Sequence, residues 1–262
     1  MIIFLKLGGS LITDKSSPRT PRPEVLARLM EEIATARQAR PELKLVLGHG
    51  SGSFGHVEAA RYGTRQGVRG AEQWRGFAEV QSAAGELNRL VLDAARAAGL
   101  PVLNLPPSAS ALCRNGAIVT MAVAPLEAAL AHDLLPLVFG DVALDEVRGG
   151  TIVSTEDVFC YLAGRLRPER VLLAGIEPGV LSHWPGGAVV ESVGQDLDLR
   201  GVGGSHAADV TGGMASKVRE MLALAQSVPG LTVRIFSGAA PGLVRAALLD
   251  EARLGTVIGP FG

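Results

Sequence analysis

The segment Gly48-His49-Gly50-Ser51-Gly52-Ser53-Phe54-Gly55-His56, entered directly from the apolar run 43–47, constrains the fold more than any other part of the chain. An apolar run without alternation reads as a strand buried on both faces, and sheets of that kind are mainly parallel and covered by helices. The loop after it holds four glycines in residues 48–55. Glycines at this density let the backbone adopt positive φ and turn its N–H groups inward as a concave anion nest. His56 stands at the rim of that nest. An imidazole there can donate to a phosphate oxygen and, when protonated, offset part of the charge of two approaching phosphoryl groups.

The same loop contains Gly50-Ser51-Gly52-Ser53-Phe54-Gly55, which satisfies the G-x-G-x-x-G pattern of dinucleotide-binding folds. That reading requires a second strand ending in an acidic residue about 20 residues further on. Residues 71–98 instead read as one long helix, with Trp74, Phe77, Ala84, Leu87, Val91 and Ala95 at three-to-four-residue spacing. The context therefore favours a phosphate cradle over a nicotinamide site.

Two more segments carry chemistry. The N-terminal run Ile2-Ile3-Phe4-Leu5-Lys6-Leu7 admits one lysine and breaks into Gly8-Gly9-Ser10. A charged amine in an apolar strand is costly unless paired, so Lys6 is expected at the carboxyl end of the sheet, where open α/β sheets bind ligands. Lys15 follows after Asp14 and reads equally as a solvated loop charge or a phosphate ligand. The third segment, Asp209-Val210-Thr211-Gly212-Gly213-Met214-Ala215-Ser216-Lys217, opens an amphipathic helix over 213–227. Free N–H groups and the positive dipole end would then lie beside Lys217.

Short apolar strands are expected at 2–7, 43–47, 102–105, 135–139, 170–173 and 232–236, alternating with helices at 24–39, 71–98, 125–131, 155–166, 213–227 and 241–249. This pattern gives an α/β class with a mainly parallel sheet between helical layers. The 262 residues, 47% of them hydrophobic, support one large core. A net charge of −1 supplies no global basic field for nucleic acid, so lysines at a phosphate site must act locally. Cys113 and Cys160 form no CxxC, the apolar start stops at Lys6, and no run approaches the ~20 residues of a membrane span, so a cytoplasmic protein is expected.

Asp141, just after the strand at 135–139, could pair with Lys6 and Lys217, or be an ordinary turn aspartate. Ser154-Thr155-Glu156-Asp157 reads first as a capping box, with a ligand contact from Thr155 as an addition. His132, His183 and His206 lack metal-ligand spacing, and no protein metal cage is expected. The proline-rich, basic segment 14–23 reads as a mobile flap or a solvated loop. Trp74 and Phe77 read as core rather than pocket, although the helix 71–98 is also expected to wall the acceptor pocket, with Phe77 a candidate on that wall.

Together these segments resemble the amino acid kinase superfamily, and within it most closely the isopentenyl phosphate kinase family. The resemblance runs from Lys6-Leu7-Gly8-Gly9-Ser10 through the loop ending at His56, Phe139-Gly140-Asp141-Val142, residues 154–157 and 209–217, to Phe236-Ser237-Gly238 and Gly255-Thr256-Val257-Ile258. Gly52-Ser53-Phe54-Gly55-His56 is its discriminating piece. Two departures stand out. Gly175-Ile176-Glu177-Pro178-Gly179 lacks the usual acidic start of the nucleotide-side turn, and Ser51 replaces the commonest glycine.

The resemblance implies the amino acid kinase fold, a three-layer αβα sandwich with a mainly parallel central sheet, as a single domain over 1–262. Residues to about 150 would form the acceptor side and the rest the nucleotide side. It implies catalytic roles for Lys6, Lys15, His56, Asp141 and Lys217. ATP would be bound by Lys6, Leu7, Gly8, Gly9, Ser10, Ser51, Gly52, Gly213 and Lys217, and the acceptor by Gly50, Gly52, His56 and Thr155. The implied reaction is ATP-dependent phosphorylation of isopentenyl phosphate to isopentenyl diphosphate, with Mg²⁺ on the ATP phosphates, in a homodimer that binds neither nucleic acid nor membrane. A fosfomycin or other phosphonate kinase, or a non-catalytic nucleotide- or oxyanion-binding relative, would use the same loop.

Overall fold

The structure is a computed structural model that describes residues 1–183, 185–194 and 213–259, the side chain of His56 excepted. His206 and the stretch from Asp209 to Gly212 lie outside the described residues.

β1 (Ile2–Leu7) leads into the single turn α1 (Gly9–Ile12), then a short hairpin of β2 (Thr13–Asp14) and β3 (Thr20–Pro21). α2 (Pro23–Ala39), with proline in its first turn, returns the chain to β4 (Lys44–His49). The glycine loop then opens α3 (His56–Tyr62) and α4 (Gly70–Ala97), followed by β5 (Val102–Asn104) and α5 (Pro107–Ser110). Next come β6 (Ala111–Arg114), β7 (Ala117–Met121), α6 (Ala124–Ala131), β8 (Leu135–Phe139), β9 (Asp141–Asp145) and β10 (Gly149–Val153). The described remainder is α7 (Thr155–Leu166), β11 (Arg170–Gly175), β12 (Ser192–Val193), α8 (Gly213–Ser227), β13 (Thr232–Ser237), α9 (Leu243–Leu249) and β14 (Thr256–Ile258).

The main sheet runs β12-β14-β13-β11-β1-β4-β8-β5, parallel throughout except where β13 meets β14. Side chains of a strand alternate between faces, and here both faces are dry. Ile3, Leu5 and Leu7 join Leu45, Leu47 and Leu172 in a core shared with α2, α4 and α9. Phe4, Val46, Val171 and Leu173 enter the opposite core with α6, α7 and α8. The expected three-layer αβα sandwich is the observed architecture. Its alternation sends Lys6 to the same face as Phe4, toward α7 and α8. No helix among the described residues is long and apolar enough to cross a membrane.

A second sheet, ordered β10-β9-β6-β7, was not anticipated, because its strands are short and partly exposed. One signal for it is present. Asn115 (φ 52°) and Gly116 (φ 87°) make the tight turn between β6 and β7, a dipeptide that favours hairpins of this type. The buried Asp145 carboxylate accepts from the N–H groups of Asn115, Gly116, Val147 and Arg148. Burial opposes ionisation of Asp145, but these four donors hold its carboxyl below the usual range. The sheet matters because β9 and β10 bring Asp141, Ile152 and Val153 to the main cavity.

α9 is capped from another helix. Glu32 of α2, only 8% exposed, accepts from the N–H groups of Gly242, Val244 and Arg245 and pairs with Arg28 at 2.5 Å. Charge-assisted bonds to otherwise orphaned N–H groups are among the stronger contributions a single side chain can make. Glu32→Ala should therefore destabilise the protein by about 1–3 kcal/mol, read as a lower denaturant midpoint at unchanged slope. A change below about 0.5 kcal/mol would contradict the capping account.

Candidate active site

The site forms where β1 and β4 end side by side, Leu7 pairing with His49 in the sheet. Each strand then breaks into glycine, and the two loops interlock. A Cβ on Gly9 would stand 2.4 Å from the Gly52 nitrogen, and one on Gly50 would stand 3.0 Å from the Gly9 nitrogen. Gly52 alone among the loop's glycines takes positive φ, 53°, and a Cβ there would lie 2.2 Å from Thr13 Oγ1. The glycine density is thus needed more for close backbone approach than for left-handed conformation. Thr13 stitches the loops together: its hydroxyl donates to Gly9 O (2.8 Å) and accepts from the Ser53 N–H (2.9 Å).

Beside these loops lies a cavity of about 750 Å³. Its wall includes Lys6, Lys15 and Lys217 together with Gly8, Gly9, Ser10, Gly50, Ser51 and Gly52. Lys6 Nζ lies 2.5 Å from Glu156 Oε1, and Lys217 Nζ lies 3.5 Å from the same oxygen. Glu156 sits in the first turn of α7, which a complete capping box starts. The Ser154 hydroxyl accepts from the Asp157 N–H at 3.0 Å, and the Asp157 carboxylate accepts from the Ser154 N–H at 2.7 Å. Burial would push the Glu156 carboxyl up, but Lys6 and Lys217 outweigh it and bring it down to about 2. The group therefore stays ionised across the neutral range.

This corrects the expected role of Asp141. Among the described residues the carboxylate shared by the two lysines is Glu156, while Asp141 accepts from the N–H groups of Ser108 (3.0 Å) and Val142 (2.8 Å). Asp141 is buried at the cavity wall, and burial pushes its carboxyl upward. Thr155 also lines the cavity, but its hydroxyl already donates to His49 O at 2.6 Å. His49 is structural: it stacks on Phe139 with ring centroids 5.3 Å apart and contacts Asn88 Oδ1 at 3.2 Å. Lys15 reaches the cavity from the connection between β2 and β3. His56 begins α3, Gly213 opens α8 with φ 72°, and Leu7 is buried in the core beneath the loops rather than exposed to the cavity.

Sequence reasoning overlooked Glu156 as a site residue, along with Arg22 and Arg65, which also line the cavity. The signal for Glu156 was the demand itself: a buried lysine needs a carboxylate, and helix starts at the sheet's carboxyl edge are where one can stand. On the side of α3 and α4 the wall is apolar, with Ala59 and Ala60 of α3, Val80 and Ala84 of α4, and Ile152 of β10 among its residues. Phe77 is not part of it. Phe77 and Trp74 meet edge to face at 5.4 Å over Gly149 and Gly150, and Trp74 is 40% exposed rather than core.

One turn after Lys217, Glu220 of α8 is partly buried near Asp157 and Glu156, and burial with these two carboxylates pushes it up to about 7. A raised carboxyl contributes most to stability while protonated, below its ordinary value of 4.5, and loses that contribution as pH rises through about 7. Glu220→Gln stays neutral, so it should be more stable than wild type at about pH 8 and match it near about pH 4.5 in thermal denaturation. An equal difference at both pH values would contradict this assignment.

Comparison with known proteins agrees with the architecture. The family model for the amino acid kinase family matches residues 1–237. An isopentenyl phosphate kinase of Methanothermobacter thermautotrophicus is 35% identical over 98% of this chain and 98% of its own length. A Haloferax volcanii protein of the same name is 35% identical over 85% of this chain and 88% of its own. A solved isopentenyl phosphate kinase superposes with a TM-score of 0.85 at 32% identity, covering 98% of this chain and 100% of that one.

Proposed function

Because the chain belongs to the amino acid kinase family, we infer that it is an ATP-dependent isopentenyl phosphate kinase, transferring the γ-phosphoryl group of ATP to the acceptor's phosphate to give isopentenyl diphosphate and ADP. The observation that carries this reading is the Lys6–Glu156–Lys217 cluster, set beside two interlocked glycine loops in a cavity whose α3 and α4 wall is apolar. Cations and backbone donors suit transferring phosphates. Ala59, Ala60, Val80, Ala84 and Ile152 suit a short hydrocarbon tail.

Phosphoryl transfer needs in-line positioning and charge neutralisation more than covalent help. In this reading Lys6 and Lys217 meet the ATP phosphates, held apart and oriented by Glu156. Lys15 and His56 act on the phosphate being transferred and on the acceptor. Residues before about 150 form the acceptor side and those after it the nucleotide side. Glu156, ionised and bound to two ammonium groups, is no general base, and none is required: a phosphomonoester has its second pKa near ~6, so the nucleophilic oxygen is already largely ionised at neutral pH. Among the described residues no cluster of three or more acidic, His or Cys side chains could hold a metal ion. Mg²⁺ would arrive on ATP and supply charge neutralisation between the phosphates.

Turnover with ATP across phosphate and phosphonate acceptors tests the assignment. Each CH₂ removed from the tail forfeits about 0.8 kcal/mol of burial, so an acceptor two carbons shorter should lose roughly tenfold in kcat/KM. Ala84→Leu should fill the tail space and depress kcat/KM for isopentenyl phosphate while leaving the KM for ATP unchanged. Indifference to both tail length and Ala84→Leu, or preference for a small phosphonate, would assign the acceptor differently.

His56→Ala should lower kcat by a factor on the order of 10², through loss of a donor to the reacting phosphoryl group, and His56→Gln should retain more activity. Wild-type turnover in the alanine variant would remove His56 from the mechanism.

A further inference from the structure

The hairpin that brings Lys15 to the cavity has little to hold it by itself: β2 and β3 share only the pairs Thr13 with Pro21 and Asp14 with Thr20. A ribbon this small is not stable alone in water. Thr13 ties its first strand to the glycine loops, and Arg19 ties it to the helices. Arg19 Nη2 lies 2.8 Å from Glu58 Oε1 on α3, and its Nη1 lies 3.1 Å from Glu86 Oε2 on α4. The Arg19 N–H donates to Ser53 O at 3.0 Å, and the neighbouring Thr20 N–H donates to Ser53 Oγ at 3.1 Å. One guanidinium therefore joins the hairpin to both helices that supply the apolar wall, and its backbone joins the hairpin to the glycine loop.

We propose that Arg19 is a positioning residue for phosphoryl transfer: by clamping the β2–β3 hairpin to α3 and α4, it keeps Lys15 at the cavity and fixes the hairpin against the helix that begins with His56. The proposal rests on the kinase reading in taking Lys15 as a phosphate ligand. Arg19 is 49% exposed, Glu58 17% and Glu86 52%, so these are surface pairs, each weak taken singly. Weak pairs suffice here. The equilibrium they bias is the docking of a short hairpin rather than the folding of the whole chain, and a small free-energy change moves a near-balanced equilibrium appreciably.

Arg19 holds φ 50°, a conformation strained for any residue with a Cβ, so Arg19→Ala keeps the backbone strain while it removes the guanidinium and its stem. In Arg19→Ala, amide hydrogen exchange should quicken across residues 14–21 while the thermal midpoint barely moves. kcat/KM for isopentenyl phosphate should fall about three- to tenfold, the range expected when two surface pairs are lost. Arg19→Lys should recover part of that loss, and the exchanged pair Arg19→Glu with Glu58→Arg should recover more than either single change. In a Lys15→Ala background the further change Arg19→Ala should have no effect, because there is no ammonium left to position. Unchanged exchange in the hairpin would overturn the clamp. A loss of equal size with and without Lys15, or wild-type turnover in Lys15→Ala, would overturn its link to catalysis. The exchange measurement needs no substrate, so an enzyme inactive on isopentenyl phosphate would refute the activity while leaving the clamp to be decided on its own.

Discussion

The Lys6–Glu156 ion pair is the constraint around which the site is arranged. Lys6 projects from a strand whose other residues are all apolar, and it is only 8% exposed. An ammonium group so placed demands a carboxylate within contact, and Glu156, 150 residues away in sequence, supplies it at 2.5 Å. Meeting that demand fixes where α7 must begin. The capping box of Ser154 and Asp157 starts the helix at the carboxyl edge of the sheet, so that a first-turn side chain meets the end of β1. Lys217 then joins the same oxygen from α8. Replacing a buried ionic cluster with apolar residues is often neutral or stabilising, so stability alone gives little reason to keep one. Two cations oriented by a buried anion beside a cavity of about 750 Å³ are better explained by phosphoryl transfer.

The second constraint is steric. Gly9 and Gly52 approach so closely that any side chain at either position would collide with the backbone of the other loop or with Thr13. The contact leaves two backbone turns side by side, with Thr13 bonded to both. The β2–β3 hairpin leaves this junction directly, which couples the geometry of the glycine loops to the position of Lys15. α3 and α4 close the other side. Small residues there, Ala59, Ala60 and Ala84, leave space in the cavity that leucine or phenylalanine would occupy.

Much of this was set by the sequence alone. The apolar runs of β4, β8 and β11 are continuous because the sheet is covered on both faces, and continuous runs are visible without a partner. α2, α4, α6, α7, α8 and α9 carry three-to-four-residue apolar spacing, and the box at 154–157 announces where α7 starts. The glycine loops, Lys6 and Lys217 could be read as phosphate-directed from residue type and position. All of these signals are local, extending over one strand or a few helical turns. The tertiary structure decided whatever depended on which distant residue answers a local need. That Lys6 meets Glu156 while Asp141 turns to the N–H groups of Ser108 and Val142 follows from strand order and helix placement, which no short window contains. The reason Gly50 and Gly52 are required lay in the approach of a second loop from β1, and that for Gly48 in Thr155 and Phe159 of α7. The small sheet escaped because its strands are short and half-exposed, with the Asn115-Gly116 turn its one local mark. Periodicity encodes which face of an element is buried, but the residue that lies opposite is fixed only when all the elements pack.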